Sequence, residues 1–121
     1  MNDDDIGAQL AEWGKVALIE TTGRTSGRPA RAAVGFVEDD DGSVLVAAGS
    51  PDADWALNLR SQPRCTATIG EKSDRYVASA IDGSERNAAL SRLILKYGTP
   101  GERLGRGPVF RLAPVISARR G

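Results

Sequence analysis

A short segment rich in glycine, hydroxyl and arginine side chains carries the clearest chemical signal. It reads Gly23-Arg24-Thr25-Ser26-Gly27-Arg28, and Arg31 follows closely. Glycines allow a tight bend, and hydroxyl groups add hydrogen-bond donors. The arginine guanidinium groups bind phosphate or carboxylate through charged hydrogen bonds. Composition alone favours the plainer interpretation, a solvated β-turn. The Gly-Lys-Ser/Thr ending of a nucleotide-binding P-loop is missing.

A second candidate is the segment Asp54-Trp55-Ala56-Leu57-Asn58-Leu59. On a helix, Trp55 and Leu59 would share one face because they are four residues apart. The amide of Asn58 could bind a backbone carbonyl or a ligand. Packing in the core is the commoner role for a tryptophan on an apolar helix face.

The third candidate is the end of an apolar run, where Ala47, Ala48, Gly49 and Ser50 follow one another. Small side chains allow a planar heterocycle to approach the backbone closely. We therefore expect a flat floor with exposed backbone N–H and C=O groups. The alternative is a buried strand that runs into a loop.

The residue types that are missing exclude several kinds of chemistry. The sequence has no histidine and one cysteine, Cys65. Histidine-ligated metal sites and Ser-His-Asp triads are therefore excluded, and we predict no protein-bound metal. Cys65 has no histidine base and is interpreted as a buried structural residue. Tyr76 and Tyr97 are candidate proton donors, although packing is their commoner role. We expect a bound cofactor to supply the chemistry.

Charge and hydropathy limit the partners. Lys plus Arg and Asp plus Glu each total 16, so the formal net charge is zero. We therefore expect no nucleic-acid partner and no anionic membrane partner. We also expect neither a membrane span nor a signal peptide. A lone cysteine is compatible with the reducing cytoplasm, where we expect the protein to be located.

The candidate residues must be positioned by short strands and a few helices. β-branched and apolar runs predict six strands, at residues 16–22, 30–37, 44–48, 65–69, 75–81 and 109–112. A turn is predicted at residues 70–74, and Asp41-Gly42 favours a primed hairpin turn. The tail at residues 115–121 is expected to be loose.

Helices are predicted at three places. The first covers residues 6–15 near the N-terminus. The second begins at an N-cap, Asp52 or Asp54, and ends before Pro63. The third, the clearest, has Ser84 as its N-cap, ends at Gly98, and repeats apolar residues at helical spacing.

Strands joined by hairpins predict an α+β, mainly β, antiparallel sheet or barrel with two to three helices. No internal repeat or linker divides the chain, so residues 1–121 are interpreted as one domain. Alternating βαβ units are absent, which argues against a Rossmann fold.

The order of these segments resembles the deazaflavin-dependent nitroreductase family. The resemblance covers about residues 16–114, at nearly the family's spacing. It rests on five segments: Leu18 through Pro29, Val44-Leu45-Val46-Ala47-Ala48, Trp55-Ala56-Leu57-Asn58-Leu59 with Pro63, Asp82 to Tyr97, and Pro108-Val109-Phe110. It implies a split β-barrel of about six antiparallel strands.

The resemblance also implies binding of reduced coenzyme F-420, with FMN as the runner-up. Family members transfer a hydride to nitroaromatics, quinones or other electron-poor compounds. Arg24, Thr25, Ser26 and Gly27 would then hold the phosphate. Backbone groups of residues 47–50 would line the deazaflavin ring, and Asp54 and Trp55 would close its pocket. The partners would be this cofactor, a small substrate and, by resemblance only, a second copy in a homodimer.

Some positions depart from the family pattern. Thr25, Ala30 and Ser50 stand where relatives often carry a basic residue, and Gly35 stands where an aromatic is frequent. Arg28 and Arg31 are the candidates to replace the missing cations. The departures keep two alternatives open. One is a binder of FMN, fatty acid or a haem-like ligand on the same fold, and the other is a protein that associates through its sheet without a ligand.

Overall fold

The computed structural model describes residues 14–97 and 106–115. The predicted helix at residues 6–15, apart from its last two residues, lies outside this part, as do Gly98 and nearly all of the predicted tail. Residues 14–15 form a turn and a bend rather than a helix end. The elements follow in the order β1 (Ala17–Thr22), β2 (Pro29–Val34), β3 (Phe36–Glu38), β4 (Val44–Ala47), α1 (Asp54–Ser61), β5 (Arg64–Ile69), β6 (Lys72–Ile81), α2 (Gly83–Tyr97) and β7 (Val109–Pro114).

The described strands form one antiparallel sheet in the order β2-β1-β5-β6-β7-β4-β3. The two edge strands, β2 and β3, follow each other in the chain and are separated by Gly35 alone. A chain can join both edges of a sheet through one residue only if the sheet curls back on itself. The fold is therefore a split β-barrel, as the sequence predicts, and residues 14–97 and 106–115 contain seven strands instead of six.

The seventh strand arises because the predicted strand at residues 30–37 breaks at Gly35. A Cβ atom at Gly35 would lie 3.1 Å from the ring of Tyr97. The hydroxyl of Tyr97 accepts a hydrogen bond of 3.0 Å from the N–H of Phe36. The end of α2 thus packs against the corner where β2 becomes β3.

The hairpin between β3 and β4 differs from the predicted primed turn. Gly42 donates to the Asp39 carbonyl at 3.1 Å, and Asp39 donates to the Ser43 carbonyl at 2.8 Å. Gly42 has φ 89°, and no residue type other than glycine has positive φ among the described residues. A primed turn requires positive φ at Asp41 as well, so this is an ordinary turn followed by a glycine bulge. The turn predicted at residues 70–74 is also shorter, because β6 already begins at Lys72.

The helix starts differ from prediction by one or two residues. Ala53 occupies the N-cap position of α1 without a side-chain cap, so neither Asp52 nor Asp54 has that role. Asp54 is the first helical residue, and its carboxylate pairs with Arg24. Helix α2 starts at Gly83, which places Ser84 inside the first turn.

Two apolar layers cover the two faces of the sheet. The layer inside the barrel includes Ile19, Phe110 and Leu112, and α1 closes it with Ala56 and Leu59. The outer layer lies between α2 and strands β3, β4 and β7, and contains Val37, Leu45, Ala47, Ala89, Leu93 and Val109. Within the described residues, no helix is both long and apolar enough to cross a membrane.

Candidate functional site

The predicted glycine-arginine turn is formed between β1 and β2. The Gly23 N–H donates to the Arg28 carbonyl, and the Gly27 N–H donates to the Gly23 carbonyl, both at 2.8 Å. Gly27 has φ 73°, which favours glycine. A Cβ at Gly23 would lie 2.7 Å from Ser26 Oγ and 3.1 Å from the Arg28 carbonyl oxygen, so the turn is closely packed at this glycine.

Asn58 of α1 fastens the helix to this turn. Its side chain is 3% exposed. Asn58 Oδ1 accepts from the Arg24 backbone N–H at 3.1 Å and from Arg24 Nη1 at 2.8 Å. Asn58 Nδ2 donates to Thr21 Oγ1 at 3.1 Å. The amide therefore binds the chain itself at three atoms, the role that a buried polar side chain requires.

The guanidinium of Arg24 is turned toward α1. Besides Asn58, Arg24 Nη1 donates to the Asp54 carbonyl at 3.3 Å, and Nη2 pairs with Asp54 Oδ1 at 3.1 Å. The side chain predicted to hold a phosphate is thus committed to contacts within the chain. Asp54, predicted to close a ring pocket, is the partner of that arginine. In this geometry Arg24 positions the turn.

Thr25, Ser26 and Arg28 supply the donors that stay available. The Arg28 N–H donates to Ser26 Oγ at 3.1 Å, so the Ser26 hydroxyl proton can still be given to a ligand. Among the described residues, neither Thr25 nor the Arg28 guanidinium has a hydrogen bond or ion pair through its side chain. All three residues are exposed.

Thr25 and Ser26 line a cleft beside the turn, and Arg28 follows two residues later on the same turn, outside the lining. The cleft has a volume of about 230 Å³, and it is lined by Gly23, Arg24, Thr25, Ser26, Ala30, Asp54 and Asn58. Hydroxyl and backbone N–H donors bind phosphate, and the exposed Arg28 guanidinium adds a positive charge on the same turn. The residues present therefore fit the anionic part of a nucleotide-like cofactor.

The end of β4 is less open than predicted. Ala47 and Ala48 are 6% and 0% exposed, and the Ala48 N–H donates to the Pro108 carbonyl at 2.9 Å. The flat floor expected at these residues is therefore covered by the chain. Open surface begins at Gly49, where a Cβ would have no neighbour within 4 Å, and Ser50 is half-buried.

Gly107 is a site-forming residue that the sequence reasoning missed. A Cβ there would lie 2.4 Å from the Ala48 carbonyl oxygen and 2.6 Å from that of Ser50. Arg86 of α2 donates to the Gly107 carbonyl at 3.1 Å. The buried glycine lets the segment before β7 lie directly on the end of β4. In the sequence, this close approach was indicated only by the presence of a glycine directly before Pro108.

Two further predicted site residues, Trp55 and Arg31, do not line the turn cleft. The Trp55 ring lies 6.0 Å from the Phe110 ring and packs on the inner core, as its packing interpretation predicts. Arg31 Nε pairs with Glu20 Oε2 at 3.1 Å on the outer face of β1 and β2. The structure thus places Arg31 in a different cleft from Thr25 and Ser26.

The cysteine and tyrosines behave as structural groups. Cys65 is 7% exposed, and burial raises the pKa of its thiol to about 11, which confirms the structural interpretation. Burial also raises the pKa of Tyr76 and of Tyr97. Tyr97 Oη donates to the Lys15 carbonyl at 2.8 Å. The described residues contain no group of His, Cys, Asp and Glu that could hold a metal ion.

Comparison with known proteins adds a family and a fold. A family model described as "F420H(2)-dependent quinone reductase" matches residues 1–103. The chain is similar to a solved structure of an F420-H2 dependent reductase, FDR-A. The identity is 24%, the match covers 81% of this chain and 93% of that chain, and the TM-score is 0.71.

Two other solved structures have the same fold. One is described as a domain-swapped dimer, with 22% identity, coverage of 90% of this chain and 95% of that chain, and a TM-score of 0.70. The other is the haem storage protein HutZ from Vibrio cholerae, with 20% identity, coverage of 94% and 90%, and a TM-score of 0.72. At these identities the structural likeness shows the split barrel alone.

Proposed function

The chain belongs to the F420H(2)-dependent quinone reductase family, and we propose that it transfers a hydride from reduced coenzyme F-420 to a quinone or nitroaromatic acceptor. Family membership makes it an oxidoreductase that depends on coenzyme F-420. The class of acceptor is the proposed part. Quinones stand first because the family model is described by that substrate class.

One observation carries the assignment of the cofactor site. The clamp between Asn58 and Arg24 holds the turn against α1 and leaves the donors of Thr25, Ser26 and Arg28 directed to solvent. We assign the coenzyme's phosphate to these three residues. Arg28 then supplies the positive charge that relatives more often carry at the position of Thr25.

The remaining residues orient the coenzyme and exclude water. When bound, the coenzyme supplies the hydride. Gly49 offers an open backbone surface at the end of β4, and Gly107 holds the neighbouring segment in place. We place the ring beside Gly49 and Ser50, next to the half-buried Trp55. The protein's contribution there is a fixed geometry in a partly dry environment.

Steady-state reduction assays test this function. Reduced coenzyme is mixed with the protein and either a naphthoquinone or a nitroimidazole, and the return of coenzyme fluorescence is followed. We expect quinone reduction that saturates with coenzyme and is slower in Arg28→Gln through a raised KM for coenzyme. A rate no higher than without protein, for every acceptor, would reject the proposal.

The alternative ligands are weakly supported by the residues present. Histidine, the commonest protein ligand of haem iron, does not occur in the sequence, and the Cys65 thiol is buried. Native mass spectrometry of freshly purified protein gives a direct test, because co-purified FMN, haem or fatty acid would favour a binding protein over the reductase.

We also propose a homodimer and a cytoplasmic location. The similar structure described as a domain-swapped dimer supports the first, and the lone buried cysteine supports the second. Light scattering after size exclusion tests the dimer, since a monomer mass at micromolar concentration would contradict it.

A further inference from the structure

Two arginines occupy neighbouring positions on the outer face of β5 and β6. Arg75 pairs directly with Thr66, and Arg64 pairs with Val77, in the antiparallel register. Side chains two residues apart on a strand point to the same face. Arg64 and Arg75 are therefore diagonal cross-strand neighbours on the face that also carries Thr66, within reach of long side chains.

Among the described residues, neither arginine forms an ion pair with an acid, although Glu20 lines the same cleft. Glu20, which pairs with Thr66 across β1 and β5, has its carboxylate on Arg31 at 3.1 Å. Asp74, next to Arg75 in the chain, pairs with Lys72 at 3.7 Å. Two like charges at adjacent sheet positions repel each other. Because neither guanidinium has an ion-pair partner, an anion bound between them would be stabilising.

A cleft lies between these arginines and the glycine-arginine turn. It has a volume of about 230 Å³ and is lined by Glu20, Thr21, Thr22, Gly27, Pro29, Arg64, Cys65, Thr66 and Arg75. Besides the two guanidinium groups, the cleft contains the hydroxyl donors of Thr22 and Thr66. Gly27 belongs to the turn, so this cleft and the Thr25–Ser26 cleft border different residues of the same turn.

We propose that Arg64 and Arg75 form a second anion site, distinct from the turn cleft, for a group bearing phosphate or carboxylate. Guanidinium groups bind both kinds of anion in a bidentate manner. The group can come from two sources, an anionic extension of the coenzyme that passes the turn or a separate anionic molecule. The site itself does not depend on the proposed function, because it rests on charge and register alone.

Titration with inorganic phosphate at constant ionic strength, followed by NMR, tests the site. We expect saturable shifts of the Nε–H signals of Arg64 and Arg75 and of the Thr66 amide. In the double variant Arg64→Gln/Arg75→Gln, the phosphate affinity measured at the Thr66 amide should fall by at least about tenfold. The phosphate-induced shifts at Ser26 in the turn should persist. Arg64→Lys/Arg75→Lys should retain part of the affinity because it keeps the charge.

Arg60→Gln is the matched control, because Arg60 is an exposed arginine outside the cleft, near the end of α1. It should leave the shifts at Thr66 unchanged. Shifts at Thr66 that grow linearly with phosphate and do not saturate would overturn the proposal. An unchanged phosphate affinity at Thr66 in the double glutamine variant would overturn it as well.

Coenzyme titrations then separate the two sources. A tenfold loss of coenzyme affinity in the double glutamine variant would assign the site to the coenzyme itself. Unchanged coenzyme affinity with lost phosphate binding would assign it to a separate anion. If the coenzyme does not bind at all, the proposed function fails, but the phosphate titration still decides the anion site.

Discussion

The amide oxygen of Asn58 accepts two hydrogen bonds from Arg24, one from the backbone N–H at 3.1 Å and one from Nη1 at 2.8 Å. A single buried side chain thus fixes both the path of the turn and the direction of its first arginine. Within the segment from Trp55 to Leu59, Asn58 therefore holds the turn in place. The donors that remain for an anion belong to Thr25, Ser26 and Arg28.

Removing the Asn58 amide should destabilise the fold. In Asn58→Ala, the Arg24 N–H loses its acceptor, and the buried Thr21 hydroxyl keeps its bond to the Ala30 carbonyl but loses the Asn58 donor. The expected cost is about 2–3 kcal/mol. Urea denaturation measures the free energy of unfolding. Asn87→Ala, at an exposed position of α2, is the control and should change stability by less than about 0.5 kcal/mol. Equal losses in both variants would contradict the assigned role of Asn58.

The carboxylate of Asp54 should oppose coenzyme binding. Its side chain is 86% exposed, so loss of the Arg24 ion pair in Asp54→Asn should cost less than about 1 kcal/mol of stability. Removing a negative charge beside the turn cleft should tighten coenzyme binding about twofold. Fluorescence titration measures the effect, and Asp52→Asn, at a residue outside the cleft, should show less of it. Weaker binding in Asp54→Asn would contradict this account.

Gly107 should tolerate no side chain. In Gly107→Ala the new Cβ would meet the carbonyl oxygens of Ala48 and Ser50, both backbone atoms that cannot rotate away. We expect a loss of about 2–3 kcal/mol in the free energy of unfolding. Gly49→Ala, where nothing lies within 4 Å of the Cβ, should cost about 1 kcal/mol or less. If the two substitutions prove equally tolerated in urea denaturation, the predicted close approach is wrong.

Cys65 should couple stability to alkaline pH. Burial raises the pKa of its thiol from an ordinary value of 9.0 to about 11 in the folded chain. Above pH 9 the unfolded chain loses this proton before the folded chain does, so stability should fall between about pH 9 and 11. The decline should be smaller in Cys65→Ala, measured by urea denaturation across this range. The native thiol should also resist a disulfide reagent at about pH 7.5, and fast labelling there would contradict its burial.

Local patterns in the sequence were sufficient for most of the fold. Strand runs, the Gly70 turn and the apolar repeat of α2 depend on neighbouring residues, and the structure confirms them with small shifts at their ends. The break at Gly35 could not be predicted in this way, because Tyr97, which packs against it, lies far away in the chain. The β3–β4 turn type also depended on the φ angle of Asp41, to which the sequence offers only a weak guide.

The candidate site was predictable by location but only partly by role. The family resemblance implied that residues of the turn and of α1 contribute to one site, and the structure places residues of both around one cleft. The sequence could not show that Arg24 is bound by Asn58 and Asp54, because that depends on how the helix meets the turn. It also could not show that Gly107 lies on the end of β4, a contact between distant segments.

The dissociation constant of coenzyme F-420 for Arg28→Gln, compared with the unaltered protein, tests the central claim most directly. Arg28 has no side-chain partner among the described residues, so its loss should affect ligand binding and leave stability nearly unchanged. We predict that binding weakens by at least about tenfold, the scale of one charged hydrogen bond, while Arg60→Gln binds normally. An unchanged dissociation constant in Arg28→Gln, with the coenzyme still bound, would contradict the assignment of the anionic group to this turn.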